Sequence, residues 1–168
     1  MSPMREITMD IAGMGIILYS PPAVKHIVDG SDYLNAHFSK PEEVARHAMD
    51  CELTAFCTGS SGSFRFRFFD GPPKEVDVQT ADFKLRLGLL ILDGMICIRD
   101  LYDLLMWSVE CPPEQSFPVT DGWYRLTVFS SVPASGILGD DQVININLEP
   151  VISKPHLRWE GVPQLCGM

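Results

Sequence analysis

The chain has little positive charge, no paired cysteines and no long uninterrupted apolar run, and each shortage removes a class of function. Thirteen Lys and Arg stand against 22 Asp and Glu, a formal charge of −9 at neutral pH. That balance argues against direct nucleic-acid binding, which needs clustered cations to replace phosphate counterions. The five cysteines are an odd number and none forms a CxxC pair. Cys57 and Cys97 fall inside apolar strand-like runs, so reduced, mostly buried thiols are expected, without a zinc site or any other metal. No stretch is long enough to cross a bilayer. "LGLLILDGMICI" is broken by Asp93 and Gly94, and the start "MSPMREITMD" has no export pattern, so a cytoplasmic protein without membrane contact is expected. Phosphate loops of the GxGxxG or GxxxxGK[ST] type are missing, which leaves no sign of a nucleotide cofactor, or of any other.

What the chain does contain is alternation. Its 168 residues suit one domain with a real core. Residues 5–20 read as strand, with Gly13 and Gly15 marking a bulge or bend. In "CELTAFCTGSSGSFRFRFFDG", Phe64, Phe66 and Phe68 oppose Arg65 and Arg67 beyond a Gly-Ser turn, which predicts a hairpin. Phe83, Leu85 and Leu87 likewise oppose Lys84 and Arg86, and Asp93-Gly94 supplies a turn for a second hairpin. Trp123, Arg125 and Thr127 alternate with Tyr124, Leu126 and Val128; Ile144, Ile146 and Leu148 alternate with Asn145, Asn147 and Glu149. Helix signals are confined to two places. "FSKPEEVARHAMD" offers Ser39 as N-cap and Pro41 in the first turn of a helix over 41–50, and Leu101, Leu104, Leu105 and Ser108 mark a short helix or turn over 99–109. The sum is a single mainly β domain over residues 1–168, an antiparallel β-sandwich or open barrel with one or two short helices. Trp107 and Trp123 are expected as core anchors, and the apolar tail "PHLRWEGVPQLCGM" is expected to pack back on the domain.

Catalytic patterns find little support. "GSSGS" and "SSVPASG" lack the GxSxG elbow, and His26, His37, His47 and His156 show neither HxH nor HExxH spacing. A non-enzyme is expected. The acidic residues carry more information. Asp100, Asp103, Glu110, Glu114, Asp121, Asp140, Asp141, Glu149 and Glu160 all lie in the C-terminal part of the chain, against Arg125, Lys154 and Arg158. The pair in "LGDDQ" is either a plain turn before a β-branched strand or part of an acidic face offered to a partner. On the second reading Asp140, Asp141, Glu149, Asp100, Asp103, Glu110 and Glu114 are the candidate partner-binding residues.

The segment "VTDGWYRLTVFSSVPASGILGDDQVININLEPV" (119–151) resembles the closing section of the bacterial competence-nuclease inhibitor group and related immunity proteins. In that pattern an aromatic strand start after a glycine leads to a polar loop, one or two acids and a last strand. "LYDLLMWSVECPPEQ" (101–115) is similar to proteins found beside bacterial toxins. The resemblance implies a cytosolic inhibitor that binds a cognate protein toxin or effector with a basic site, such as a nuclease, in fixed stoichiometry. Two other readings stay open: an accessory binding module of a secretion system, and a small-ligand-binding β-barrel.

Overall fold

The alternating runs become two facing sheets. In the computed structural model, which describes residues 2–159 and 161–166, strands β1 (Arg5–Ile11), β4 (Gly62–Asp70), β9 (Gln142–Val151), β8 (Gly122–Ser130) and β5 (Phe83–Ile91) form one sheet in that spatial order. Strands β3 (Leu53–Cys57), β2 (Gly15–Tyr19), β6 (Met95–Asp100) and β7 (Ser116–Pro118) form the other. Helices α1 (Tyr33–His37), α2 (Pro41–Asp50) and α3 (Glu75–Gln79) and three 3-10 turns complete the described residues. The mainly β, sandwich-like fold is therefore as expected. No helix among these residues is long and apolar enough to cross a membrane.

Burial follows the period of two. Phe64, Phe66 and Phe68 on β4, with Ile144, Ile146 and Leu148 on β9, meet Ile16, Leu18, Phe56, Ile96 and Ile98 from the second sheet in one core. The opposite face of the second sheet buries Ile17, Tyr19, Leu53, Ala55 and Cys97 under α1, α2, Val24, Leu104 and Trp107. β2 lies between both cores, so "GIILY" is apolar throughout and every residue is buried. The layers are thus sheet, sheet, helices. The outer face of the five-stranded sheet is left without a helical layer, and its Arg65, Arg67 and Asn145 are only half-buried.

Several expected connections differ. "TGSSG" does not close a hairpin: β3 pairs with β2, whereas β4 pairs antiparallel with β1 and parallel with β9, so residues 58–61 carry the chain from one sheet to the other. The same happens at Gly13, where Met14 takes φ 55° and β1 and β2 enter different sheets. Asp93 and Gly94 do form a tight turn with positive φ, bridged by Leu92 and Met95. It is a corner between sheets, held by the Ser20 hydroxyl, which donates to the Met95 carbonyl at 2.7 Å and accepts from the Leu92 N–H at 3.0 Å. The short helix or turn expected over 99–109 is a 3-10 turn at Leu101–Leu105. Its start is fixed by Asp100, whose carboxylate accepts from the N–H groups of Ala12, Gly13 and Tyr102. The helix over 41–50 forms as read, but its N-cap is Lys40 rather than Ser39. Helices α1 and α3 were not anticipated.

Trp107 is a core anchor, 1% exposed; Trp123 instead lies half-buried on the outer sheet face. The tail does pack back. Cys57 donates to the Pro163 carbonyl and Leu165 donates to that of Cys57, placing Leu165 and Cys166 in the inter-sheet core. All five cysteines are free. Glu160 lies outside the described residues.

Candidate functional site

An open groove of about 850 Å³ runs over the exposed face of the five-stranded sheet. Its floor is Phe69, Phe129, Val143, Asn145 and Asn147, the outward residues of β4, β8 and β9. One wall is the turn after β4 and helix α3, contributing Pro73, Lys74 and Asp77. Gly71 at φ 82° permits that turn, and its carbonyl accepts from the Asn147 amide at 3.1 Å. The facing wall is the β8–β9 connection, with Val132, Pro133, Asp140 and Asp141.

This second wall is a fixed loop. Its start is tied to Asp82, whose carboxylate accepts from the Val132 N–H at 2.8 Å. Its end is locked by backbone contact: Ser63 donates to the Gly139 carbonyl at 2.7 Å, and Gly139, at φ 81°, lies so close to Ser61 that a Cβ there would come 2.4 Å from the Ser61 carbonyl. Beneath it the buried Gln142 side chain accepts from Gly139 N–H at 2.9 Å and donates to Ser130 Oγ at 2.9 Å. Strand β9 therefore begins from a rigid corner.

The sequence-predicted acids are distributed over three places. Asp140 is exposed at the groove and makes no ion pair among the described residues. Asp141, in the left-handed region at φ 50°, forms a two-point ion pair with Arg65 of β4, one arm at 2.8 Å. That hydrogen bond holds the Asp141 carboxyl below the usual carboxylate range and raises the guanidinium in turn. Glu149 lies eight residues along β9, about 26 Å away by strand rise, and pairs with Arg125 at 3.1 Å. Asp100 ends β6, and Asp103, Glu110 and Glu114 belong to the connection from β6 to β7. Asp100 caps the 3-10 turn, Asp103 pairs with the buried Arg99 at 2.7 Å, and Glu110 and Glu114 are exposed.

Asp77 and Lys74 in the groove were missed by sequence reading. The usable signal was "GPPKEVD": two prolines followed by acids in a first turn, a helix start that places both residues over the sheet. Among the described residues no three His, Cys, Asp or Glu side chains converge as a metal ligand set. Chemically, the groove offers an apolar floor, amide groups and a rim of three carboxylates, one of them paired with Arg65, against Lys74.

No family model and no curated protein matches this chain. Two solved structures share its fold. A protein described as crocagin biosynthetic gene J superposes with a TM-score of 0.56 at 16% identity, over 87% of this chain and 96% of its own. ComJ from Bacillus subtilis, described as an inhibitor of the DNA-degrading activity of NucA, superposes with a TM-score of 0.50 at 13% identity, over 89% of this chain and 98% of its own. The fold likeness to a nuclease inhibitor thus extends well beyond residues 101–151.

Proposed function

We propose that this chain is a cytoplasmic bacterial inhibitor that neutralises a toxin, in the first instance a nuclease, by stoichiometric binding rather than by catalysis. The observation that carries the reading is Asp140, a carboxylate without an ion-pair partner among the described residues, held on a backbone-anchored loop at the mouth of the groove, with Asp77 on the opposite wall. Nucleases bind phosphate through basic clefts, so a fixed carboxylate on a protein of net charge −9 both steers toward such a cleft and occupies a phosphate position. A loop already ordered costs less to bind than a disordered tail. The shared fold with ComJ supports the same class of partner.

Co-expression with candidate secreted nucleases tests this through rescue of growth, followed by titration of nuclease activity to a 1:1 end point. Asp140→Lys is expected to slow association about tenfold and flatten its salt dependence. Asp141 is the wrong residue to reverse, because the loss of the Arg65 pair would confound the result. Unchanged association by Asp140→Lys would remove the acidic rim from the reading; turnover by the purified protein would overturn the inhibitor itself. A second reading is a small-ligand-binding module, favoured by a groove volume within the ~300–1,000 Å³ typical of ligand sites. Occupancy of the groove by a metabolite that raises the melting temperature and leaves nuclease binding unaffected would favour it.

A further inference from the structure

The five-residue 3-10 turn after β6 and the irregular segment beyond it carry a concentration of exposed apolar side chains. Met106 is 77% exposed, Val109 68%, Tyr102 48% and Leu105 39%, and Val28 from the loop before α1 is 71% exposed. Backbone bonds draw these two segments together: Gly30 donates to the Trp107 carbonyl at 2.6 Å, Trp107 donates to the Ser31 carbonyl at 2.9 Å, and Val109 N–H reaches the Asp29 carboxylate at 2.9 Å. Beneath them Trp107 is buried, and the buried Arg99 guanidinium lies 4.4 Å from its ring while donating to the Ser108 carbonyl at 2.6 Å. The apolar side chains are therefore displayed on an anchored scaffold, not on a fraying loop. Val28, Met106 and Val109 lie on the two segments these bonds join, and exposed apolar side chains grouped in this way mark interaction sites on soluble proteins.

The rim decides the occupant. Asp29, which accepts from the Val109 N–H, and Asp32 follow Val28 on one segment, and Glu110 follows Val109 on the other. Asp103 of the 3-10 turn pairs with the buried Arg99, and Lys25 is the base on the first segment. Such a rim repels an anionic lipid surface and places like charges opposite one another across a symmetric dimer. It complements an apolar anchor flanked by Lys or Arg. We infer that the Val28–Met106–Val109 patch is a second docking surface, for a protein segment that presents apolar side chains between basic ones. Met106, long and unbranched, adapts its shape to such an anchor. The surface lies on the helical side of the molecule, away from the groove, and its assignment does not depend on the groove being inhibitory.

The probe is a synthetic amphipathic peptide of leucine and lysine, with a leucine–glutamate peptide of equal length as control, titrated into the full-length, isotope-labelled protein and followed by amide NMR shifts. Shifts are expected at residues 28–31 and 102–109, weakening with salt, with at least a tenfold loss of affinity in Met106→Asp/Val109→Asp at unchanged melting temperature. Asp140→Lys should bind the peptide as the parent does, so that failure of this surface and failure of the groove are read separately. Shifts confined to the groove, equal binding of the leucine–glutamate peptide, or unchanged affinity in the double variant would overturn the assignment. So would a concentration-dependent dimer in sedimentation that Met106→Asp dissolves, because the occupant would then be a second copy.

Discussion

Replacing Arg99 by Met is the sharpest test of how the exposed segment after β6 is held. The Arg99 side chain is 6% exposed and makes four contacts: Asp103 at 2.7 Å, the Ser108 carbonyl at 2.6 Å, the Tyr19 hydroxyl at 3.4 Å and the Trp107 ring at 4.4 Å. Burial works against its charge, but the Tyr19 and Asp103 hydrogen bonds overcome that and raise its pKa. Met keeps the aliphatic stem and loses every polar contact. Truncating one partner of a buried pair costs about 3–5 kcal/mol when the other charge is stranded. Here Asp103 is 35% exposed and rehydrates, which reduces that figure. Tyr19, 1% exposed, does not rehydrate, and its orphaned hydroxyl adds about 1–3 kcal/mol. These terms share partners and do not add, and relief of the guanidinium's desolvation offsets part of them, so a net loss of about 2–4 kcal/mol is expected. Urea denaturation would register this at unchanged slope, and hydrogen exchange would show amides 100–109 losing protection ahead of the sheets. A loss below about 0.5 kcal/mol would refute the reasoning, because the cost of burying the charge would then cancel all four contacts.

Three further outcomes follow from local geometry. Gly139→Ala pushes a Cβ into the Ser61 carbonyl at a positive φ, so a loss of about 1–3 kcal/mol in thermal or chemical denaturation is expected, together with weaker nuclease inhibition because Asp140 moves with the loop. Burial, and then the Arg46 charge, lower the pKa of His47, which packs against Phe38 at 4.9 Å and Tyr33 at 6.0 Å. A His depressed in the folded state favours the neutral form, so its contribution is complete above the unfolded value of about 6.5 and declines as pH falls through that value toward the folded one. His47→Leu should flatten the pH dependence of the melting temperature in that window. Arg65→Gln should return the Asp141 titration, followed by carboxyl NMR, upward toward ordinary aspartate; the pair's contribution holds above the unfolded carboxylate pKa and is lost as pH falls through the depressed one.

The faces of the strands were legible because burial acts on each residue in turn. Phe64, Phe66 and Phe68 had to point one way whatever they met, and Pro41 with Glu42 and Glu43 marked the start of α2 through purely local chemistry. Pairing was not legible, because a face pattern says nothing about which strand lies alongside. The "GSSG" stretch has the composition of a hairpin turn, yet Gly59 is required there by the tail: a Cβ would come 1.6 Å from the Cys166 carbonyl, a contact more than a hundred residues away in sequence. The short helix or turn read over 99–109 was legible from its local start, and it is a 3-10 turn at Leu101–Leu105. Its leucines have helical spacing and Asp100 caps its start, but Trp107 exchanges backbone hydrogen bonds with Gly30 and Ser31 instead of continuing the turn. At the candidate site, Asp140 was visible as charge beside a turn, and Asp141's partner was not, since Arg65 precedes it by 76 residues. The groove has its first wall only because α3, which the sequence reading passed over, stands beside the outer face of the five-stranded sheet.

The parallel pairing of β4 with β9 has a consequence for the order of events during synthesis. β9 is the middle strand of its sheet but the last strand of the chain, and it alone joins the β1–β4 pair to the β8–β5 pair. Until residues 142–151 are available, Phe64, Phe66 and Phe68 belong to a two-stranded ribbon with an open hydrogen-bonding edge, and a two-stranded ribbon is marginal in water. Closure of the sheet must then wait for a contact spanning more than seventy residues, which makes folding slow relative to domains built from neighbouring hairpins. The nascent chain therefore carries an unsealed β4 edge from the completion of β4 until residues 142–151 emerge, an interval in which that edge is open to wrong pairing.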